Sequence, residues 1–284
     1  MTWYRSFIVN TPVINSLVAG IRYRYFLFNL NRIDNREKEK MVDGLGIAIP
    51  PAKLRYRVHG DLESQAFLNV GKAIATNIKN QLGRCGLKLE DFQRVLDFGC
   101  GSARVLRYFI TAYPDKNYTG IDIDEELIDW CKNNIDTVDW HQTPFLPPTE
   151  LASSSFDFIY GISVFTHLDQ EYQKAWLQEL RRIIKPDGAI FLTTHGKPYL
   201  HTLELDKLQS LEFQKNEFLF IKRESGKYRL DGLPDFYQTA VQTQNQIQKA
   251  WTDNFKIIGF FEGAVNQIQD AVILKPLNVN NEQS

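Results

Sequence analysis

The 284-residue chain has little of what builds a disulfide or metal framework: three cysteines, five histidines and two methionines. Cys85, Cys100 and Cys131 form no C-x-x-C pair and are odd in number. That excludes a disulfide scaffold and fits a reducing, cytoplasmic compartment. No set of carboxylates and asparagines suited to a divalent ion stands out, so no metal is expected. A surplus of charge of one sign is missing too, the formal net charge being −1. With no module of interleaved basic and aromatic residues, nucleic acid is not an expected partner. Clean apolar runs of membrane-spanning length are absent: between Phe7 and Leu30, Pro12, Asn15, Arg22 and Arg24 interrupt the apolar residues. Neither a span nor a signal peptide is expected there. No internal repeat is visible.

What is present is a globular composition, 43% hydrophobic, with charge unevenly spread. Residues 1–60 hold ten Lys/Arg against four Asp/Glu, and the remainder holds 23 against 30. The basic end reads as a solvated surface or as a contact for an acidic partner or a membrane. Within it, Arg22 and Arg24 sit among Tyr23, Tyr25, Phe26 and Phe28, residues suited to a membrane interface or to packing on the main domain. Residues 1–50 read as one or two helices with a charged link at 31–40, and Pro50-Pro51 closes this arm. An amphipathic helix follows over about 62–82, with Phe67, Val70, Ile74 and Ile78 on one face.

Residues 94–108 read RVLDFGCGSARVLRY. The apolar pair Val95-Leu96 ends in Asp97, a turn with Gly99 and Gly101 follows, and Ser102-Ala103 opens a helix through Val105, Leu106 and Phe109. Strand, glycine turn and helix in that order make a place where backbone N–H groups face a ligand. Lacking a Cβ, Gly99 and Gly101 can take positive φ and let a ligand approach the main chain. Cys100, between them, is a small filler and not a nucleophile. The dinucleotide fingerprint G-x-G-x-x-G needs a third glycine where this chain has Arg104, which disfavours a pyrophosphate reader. A second strand over 118–122 ends in acid about twenty residues on, where a carboxylate accepts hydrogen bonds from ribose hydroxyls. Asp122 is the better candidate for that role. Asp124 suits the N-cap of the next helix, with Glu125 and Glu126 in its first turn.

The pattern D-x-G-x-G-x-A, Asp97 to Ala103, together with Asp122, resembles the opening motifs of the class I S-adenosylmethionine (SAM) methyltransferases. That family often has a third glycine where this chain has Ala103. The resemblance covers roughly 94–274, and the layout is similar to a bacterial group with a long insert before the sixth strand. It implies an α/β fold: a Rossmann-like three-layer sandwich whose mostly parallel, seven-stranded sheet has an antiparallel last strand. Residues 1–60 would be an arm or lid, and 61–284 the methyltransferase domain. Strands are expected at 138–141, at 156–160 (near-continuously apolar) and at 189–193. Asp169 should cap a helix burying Trp176, Leu177, Leu180 and Ile184, stopped by Lys185-Pro-Asp-Gly188. An insert over 194–251 carries His195, His201, Tyr228, Asp231, Tyr237 and Gln238, where the family builds acceptor specificity. Its Gln-rich run, 238–248, reads as a polar helix face. Strands over 255–261 and 270–274 would close the sheet as a hairpin.

The resemblance also implies a cofactor, SAM, and a site for it. Asp97, Gly99, Cys100, Gly101, Asp122 and Ile123 would line it from the first two motifs. Gln142 or Thr143 would approach the adenine, where many relatives place an acid. Gly161 and Ser163 would face it from the loop after the fourth strand. Arg57 is a candidate for the SAM carboxylate, and Tyr56 or His59 for the pocket wall. His167 resembles the histidine of the family's S-V-F-x-H-L run and is either a general base or a residue that hydrogen-bonds the loop or caps the helix. Gly161-Ile-Ser-Val stands where relatives that methylate nucleobase or glutamine nitrogen carry [D/N/S]-P-P-[Y/F/W]. The expected acceptor is therefore a small molecule or glycan, methylated on oxygen. A membrane-borne lipid or quinone acceptor, approached through residues 1–30, is an alternative, and a non-catalytic SAM-binding protein is another.

Overall fold

A computed structural model describes residues 12–37, 42–221 and 238–277. The arm is one long helix, α1 (Pro12–Glu37), followed by α2 (Ala52–His59) and α3 (Ser64–Arg84). The charged stretch 31–37 stays helical, so α1 is not split there. Then come β1 (Arg94–Phe98), α4 (Leu106–Ala112), β2 (Asn117–Asp122), α5 (Glu125–Asn134) and β3 (Val138–Gln142). They are followed by β4 (Phe156–Gly161), α6 (Gln170–Ile183) and β5 (Ile184–His195). The insert holds α7 (Lys197–Leu200), α8 (Lys207–Asn216), β6 (Phe218–Ile221), β7 (Thr239–Gln242) and α9 (Gln244–Trp251). β8 (Phe255–Val265) and β9 (Gln269–Pro276) end the described chain.

The sheet is α/β and mostly parallel, as expected. β3, β2, β1, β4 and β5 pair side by side in parallel, and β9 joins β5 antiparallel with β8 outside it. That accounts for the seven expected strands. The described sheet has nine, because β7 adds to the end of β5 at His195↔Val241 and brings β6 with it. Each face is covered by helices. On one, Ile74 and Ile78 of α3 meet Leu106 and Phe109 of α4 and Ile128 of α5. On the other, Trp176, Leu177 and Leu180 of α6 meet Ile247 and Trp251 of α9. The order in which strands are added reverses between β1 and β4, which stay parallel, so their carboxyl ends open a crevice.

Three local expectations are corrected. The helix after the glycine turn starts at Leu106, not Ser102, because Ala103 has φ +59 and cannot lie in a right-handed helix. This left-handed residue occupies the position where the resembled family often has glycine. Lys185-Pro-Asp-Gly188 does not separate helix from strand. α6 gives way to β5 directly at Ile184, and the four residues bulge within the strand, between the pairs Phe156↔Ile184 and Phe158↔Ala189. Lys185 is held there by Asp157 at 2.6 Å. The run 238–248 is not one helix face. Thr239–Gln242 is a strand with all four residues buried, and only Gln244 onward is helical.

Gly71, midway along α3, lies against the carbonyl of Arg104, where an added Cβ would sit 2.2 Å from the oxygen. Alanine in place of a mid-helix glycine ordinarily stabilises by up to about 1 kcal/mol. Gly71→Ala is expected instead to destabilise by about 1–3 kcal/mol, because the backbone it meets must move. The check is a lower urea midpoint with an unchanged slope.

Candidate functional site

The crevice beyond β1, β2 and β4 is bordered by the expected motifs on its floor. Asp97, Gly99, Cys100, Gly101, Asp122 and Ile123 all border it. Gly99 and Gly101 have φ of +76 and +53. A Cβ on Gly99 would meet Val164 at 2.3 Å, and one on Gly101 would meet Val58 at 2.7 Å. The turn is therefore narrow by necessity.

Its N–H groups do not face the crevice, contrary to expectation. Gly99 and Cys100 both donate to the carbonyl of Ile121, at 2.8 and 3.0 Å. Gly101 donates to Asp122 Oδ2 at 2.8 Å. The bend supplies room, not a nest of donors for a phosphate.

Two carboxylates stand on the floor. Asp97 is buried and accepts from the Tyr160 hydroxyl at 2.7 Å. Burial pushes it up to about 7; the Tyr160 hydroxyl opposes the shift, Asp122 adds to it and Arg104 opposes it again. Asp122 accepts from Gly101 N and, through Oδ1, from Asp124 N at 3.0 Å. Burial pushes it up to about 6, against those backbone donors. Burial likewise pushes the Cys100 thiol up, which suits a filler and not a nucleophile.

A guanidinium that the sequence reading passed over faces them. Arg104 borders the crevice, is 8% exposed, and has no carboxylate within ion-pair distance among the described residues. Its Nη1 lies 3.3 Å from His59 Nδ1, and its buried Nε has no partner. Burial pulls it down to about 10, with Asp97 opposing. The other buried arginines are paired: Arg55 with Glu37 at 2.5 Å and Arg107 with Asp43 at 2.8 Å. The signal that could have found Arg104 is its position as the third residue after Gly101, at the far rim of the turn.

Helix α2 roofs the crevice. Arg57 borders it, but its guanidinium is held by Asp124 and Glu126, and Lys53 joins Glu126 at 2.9 Å. Asp124 is also the N-cap of α5, accepting from Leu127 N at 3.2 Å. Val58 forms the roof, a residue not singled out from sequence. Tyr56 and His59 do not line the crevice: Tyr56 packs on Phe26 with ring centroids 4.7 Å apart, and His59 is behind Arg104. An apolar wall comes from Leu127, Phe145, Leu168 and Trp176; Phe145 and Leu168 belong to the two loops expected at the site, while Leu127 and Trp176 were not expected there. Thr143 reaches the crevice and Gln142 does not.

The loop after β4 forms the remaining side. Ser163 borders the crevice with φ +61, its N–H donating to Thr193 Oγ1 at 2.8 Å and its hydroxyl accepting from Gln269 Nε2 at 2.8 Å. Gly161 does not line it; a Cβ there would press on Phe98 at 3.0 Å, so the residue serves packing. His167 does line it, and its Nδ1 is 2.6 Å from the carbonyl of Gln238. A carbonyl only accepts, so Nδ1 carries the proton and the neutral ring's lone pair is on Nε2. His195 stacks on Tyr199 at 3.6 Å, and its ring lies 6.2 Å from that of His167, outside the crevice. His201 is exposed beyond α7, and Tyr228, Asp231 and Tyr237 lie outside the described residues. No group of three or more His, Cys, Asp or Glu suited to a metal occurs among the described residues.

Comparison with known proteins finds likenesses for the part of the chain that carries this crevice. Residues 95–188 match the family model described as a methyltransferase domain. An rRNA N(6)-adenosine-methyltransferase of Caenorhabditis elegans is 24% identical over 111 residues, 35% of this chain and 50% of that one. The chain spans half or less of the curated relatives it matches. A SAM-dependent methyltransferase structure from Methanosarcina mazei is 23% identical, with TM-score 0.50, over 70% of this chain and 97% of that one. Another from Clostridium acetobutylicum is 13% identical, with TM-score 0.51, over 72% and 91%. The described core has the class I Rossmann-like fold of SAM-dependent methyltransferases.

The buried carboxylates have a cost that pH reveals. Asp97 ionises at about 7 when folded and near 3.8 when not. Its protonated form stabilises the fold fully below about pH 4, and that contribution is lost as pH rises through about 7. Asp97→Asn keeps an acceptor for Tyr160 without the charge. Its melting temperature should match the parent near pH 4, exceed it increasingly toward pH 7, and hold that advantage above.

Proposed function

We propose that this crevice binds SAM and that the domain transfers its methyl group to oxygen on a small-molecule or glycan acceptor. The observation that carries the reading is the pairing of Asp122 with the glycine bend. The bend's own N–H groups are consumed internally, which leaves space and a carboxylate but no phosphate cradle. That suits an adenosyl ligand without phosphates. Asp122 keeps lone pairs for the ribose hydroxyls, and Leu127, Phe145 and Trp176 offer an apolar wall for adenine. Arg104 is the better seat for the SAM carboxylate than Arg57, whose charge is already neutralised by Asp124 and Glu126.

SAM supplies a methyl group activated by a sulfonium, so the chain has mainly to align the acceptor with it. Alignment alone can lower a barrier by about 7–11 kcal/mol. His167 Nε2 would take the proton of the acceptor's hydroxyl as that oxygen receives the methyl group. The Gln238 carbonyl on Nδ1 holds the ring in the tautomer this needs and favours the imidazolium that results. Gly161-Ile-Ser-Val in place of a proline-pair motif, and the acidic balance outside residues 1–60, support an oxygen acceptor over the nitrogen of a nucleic acid.

Calorimetry with SAM or its demethylated product tests the donor site. Asp122→Ala should weaken binding about 10- to 150-fold, the loss of a charged acceptor worth about 1.5–3 kcal/mol. Arg104→Gln should weaken the demethylated product but leave methylthioadenosine, which lacks the carboxylate, unchanged. With methyl-labelled SAM and fractionated extract, His167→Ala should slow label transfer about 100-fold or more while donor affinity holds. Label appearing in nucleic acid, lipid or protein alone would overturn the acceptor class.

A further inference from the structure

Helix α1 has two faces with different employment. The inward face is spent on the domain: Phe26 packs on Tyr56, Ile33 is buried, Asp34 accepts from Ala52 N at 3.0 Å, and Glu37 pairs with Arg55 at 2.5 Å. The outward face carries Ile21, Tyr25, Phe28 and Arg32, spaced four, three and four residues apart, with Arg24 beside them. At 100° per residue these fall on one stripe about 16 Å long. All five are exposed, Ile21 by 60%, Tyr25 by 68% and Phe28 by 64%.

A solvated helix face is ordinarily polar, and this one is not. Single exposed apolar residues need no explanation, but three large ones in register do. The charges sort the same way. Both acids of the inward face are turned to the domain, and the outward stripe holds only cations. Aromatic rings flanked by arginines fit the headgroup region of a bilayer. There the rings sit at the acyl boundary and the guanidinium groups reach lipid phosphates. No described helix is long and apolar enough to cross a membrane, so such a helix would lie in the interface plane.

We propose that the outward face of α1, built on Ile21, Tyr25 and Phe28 with Arg24 and Arg32, docks the protein on an anionic lipid surface. The interaction is peripheral and needs no conformational change, because the face is already presented. It does not rest on methyl transfer and stands or falls apart from it. Since α1 is tied through Asp34 and Glu37 to the residues that begin and hold α2, docking would set the roof of the crevice close to the membrane.

The test is sedimentation of the full chain with vesicles of phosphatidylcholine alone and of phosphatidylcholine with about one third phosphatidylglycerol. Binding is expected to the anionic vesicles, at least tenfold weaker to the neutral ones, and reduced by salt. Arg24→Gln with Arg32→Gln should weaken it about thirtyfold, each arginine near such a surface being worth about a factor of five. Tyr25→Ser with Phe28→Ser should weaken it at least tenfold. Both pairs are exposed, so melting temperature and affinity for SAM should stay at parental values. No sedimentation with anionic vesicles, equal sedimentation with neutral ones, or unaltered binding by both variants would overturn the proposal. A dimer in solution that dissociates with the same substitutions would overturn it as well, assigning the stripe to a second copy of the chain.

Discussion

Everything in the crevice depends on the carboxylate of Asp122 accepting the Gly101 N–H. That one contact joins the tip of β2 to the bend after β1, while the other oxygen takes Asp124 N and so fixes the start of α5. The bend after β1 and the start of α5 are thereby both tied to the tip of β2 by a single side chain. The carboxylate must sit in a poor dielectric to do this, and its raised proton affinity is the consequence. An aspartate at a strand tip is usually discussed as a ligand group. Here it is first a structural one.

The roof is organised by the same economy. Arg57 reaches across to Asp124, the cap of α5, and to Glu126 within it, where Lys53 joins, so ion pairs tie the helix that covers the crevice to the helix beneath it. Two other buried arginines are neutralised by acids from the arm and the loop after it, Glu37 and Asp43. Against that pattern, the buried guanidinium of Arg104, bordering the crevice with no acid at ion-pair distance among the described residues, is the exception. Leaving such a group unpaired is costly.

Much of the core was legible in the residues. The apolar run into Asp97, the two glycines, and the acid at Asp122 placed three walls of the crevice. Asp124 and Asp169 were legible as N-caps because short acids before apolar-periodic segments have one efficient use, and both accept from the third residue on. What failed did so where a local signal was overruled from a distance. Lys185-Pro-Asp-Gly188 has the composition of a turn, but Asp157 on the neighbouring strand holds Lys185 and the segment bulges within β5. Gln238 to Gln242 has the composition of a polar surface. Pairing of β7 with β5 and β6 instead buries it, since ladder hydrogen bonds satisfy the backbone whatever the side chains.

By itself, then, the order of residues determined much of the local grammar: the apolar strands into Asp97 and Asp122, the glycine bend between them, and the N-caps at Asp124 and Asp169. Those features depend on contacts within a few residues or on spacing along the chain. The tertiary structure alone decided which charges are free. Arg57 and Arg104 are indistinguishable as letters. One is neutralised by an acid far away in sequence and the other is left facing the crevice, because ion pairing depends on distance in space, which sequence separation does not encode.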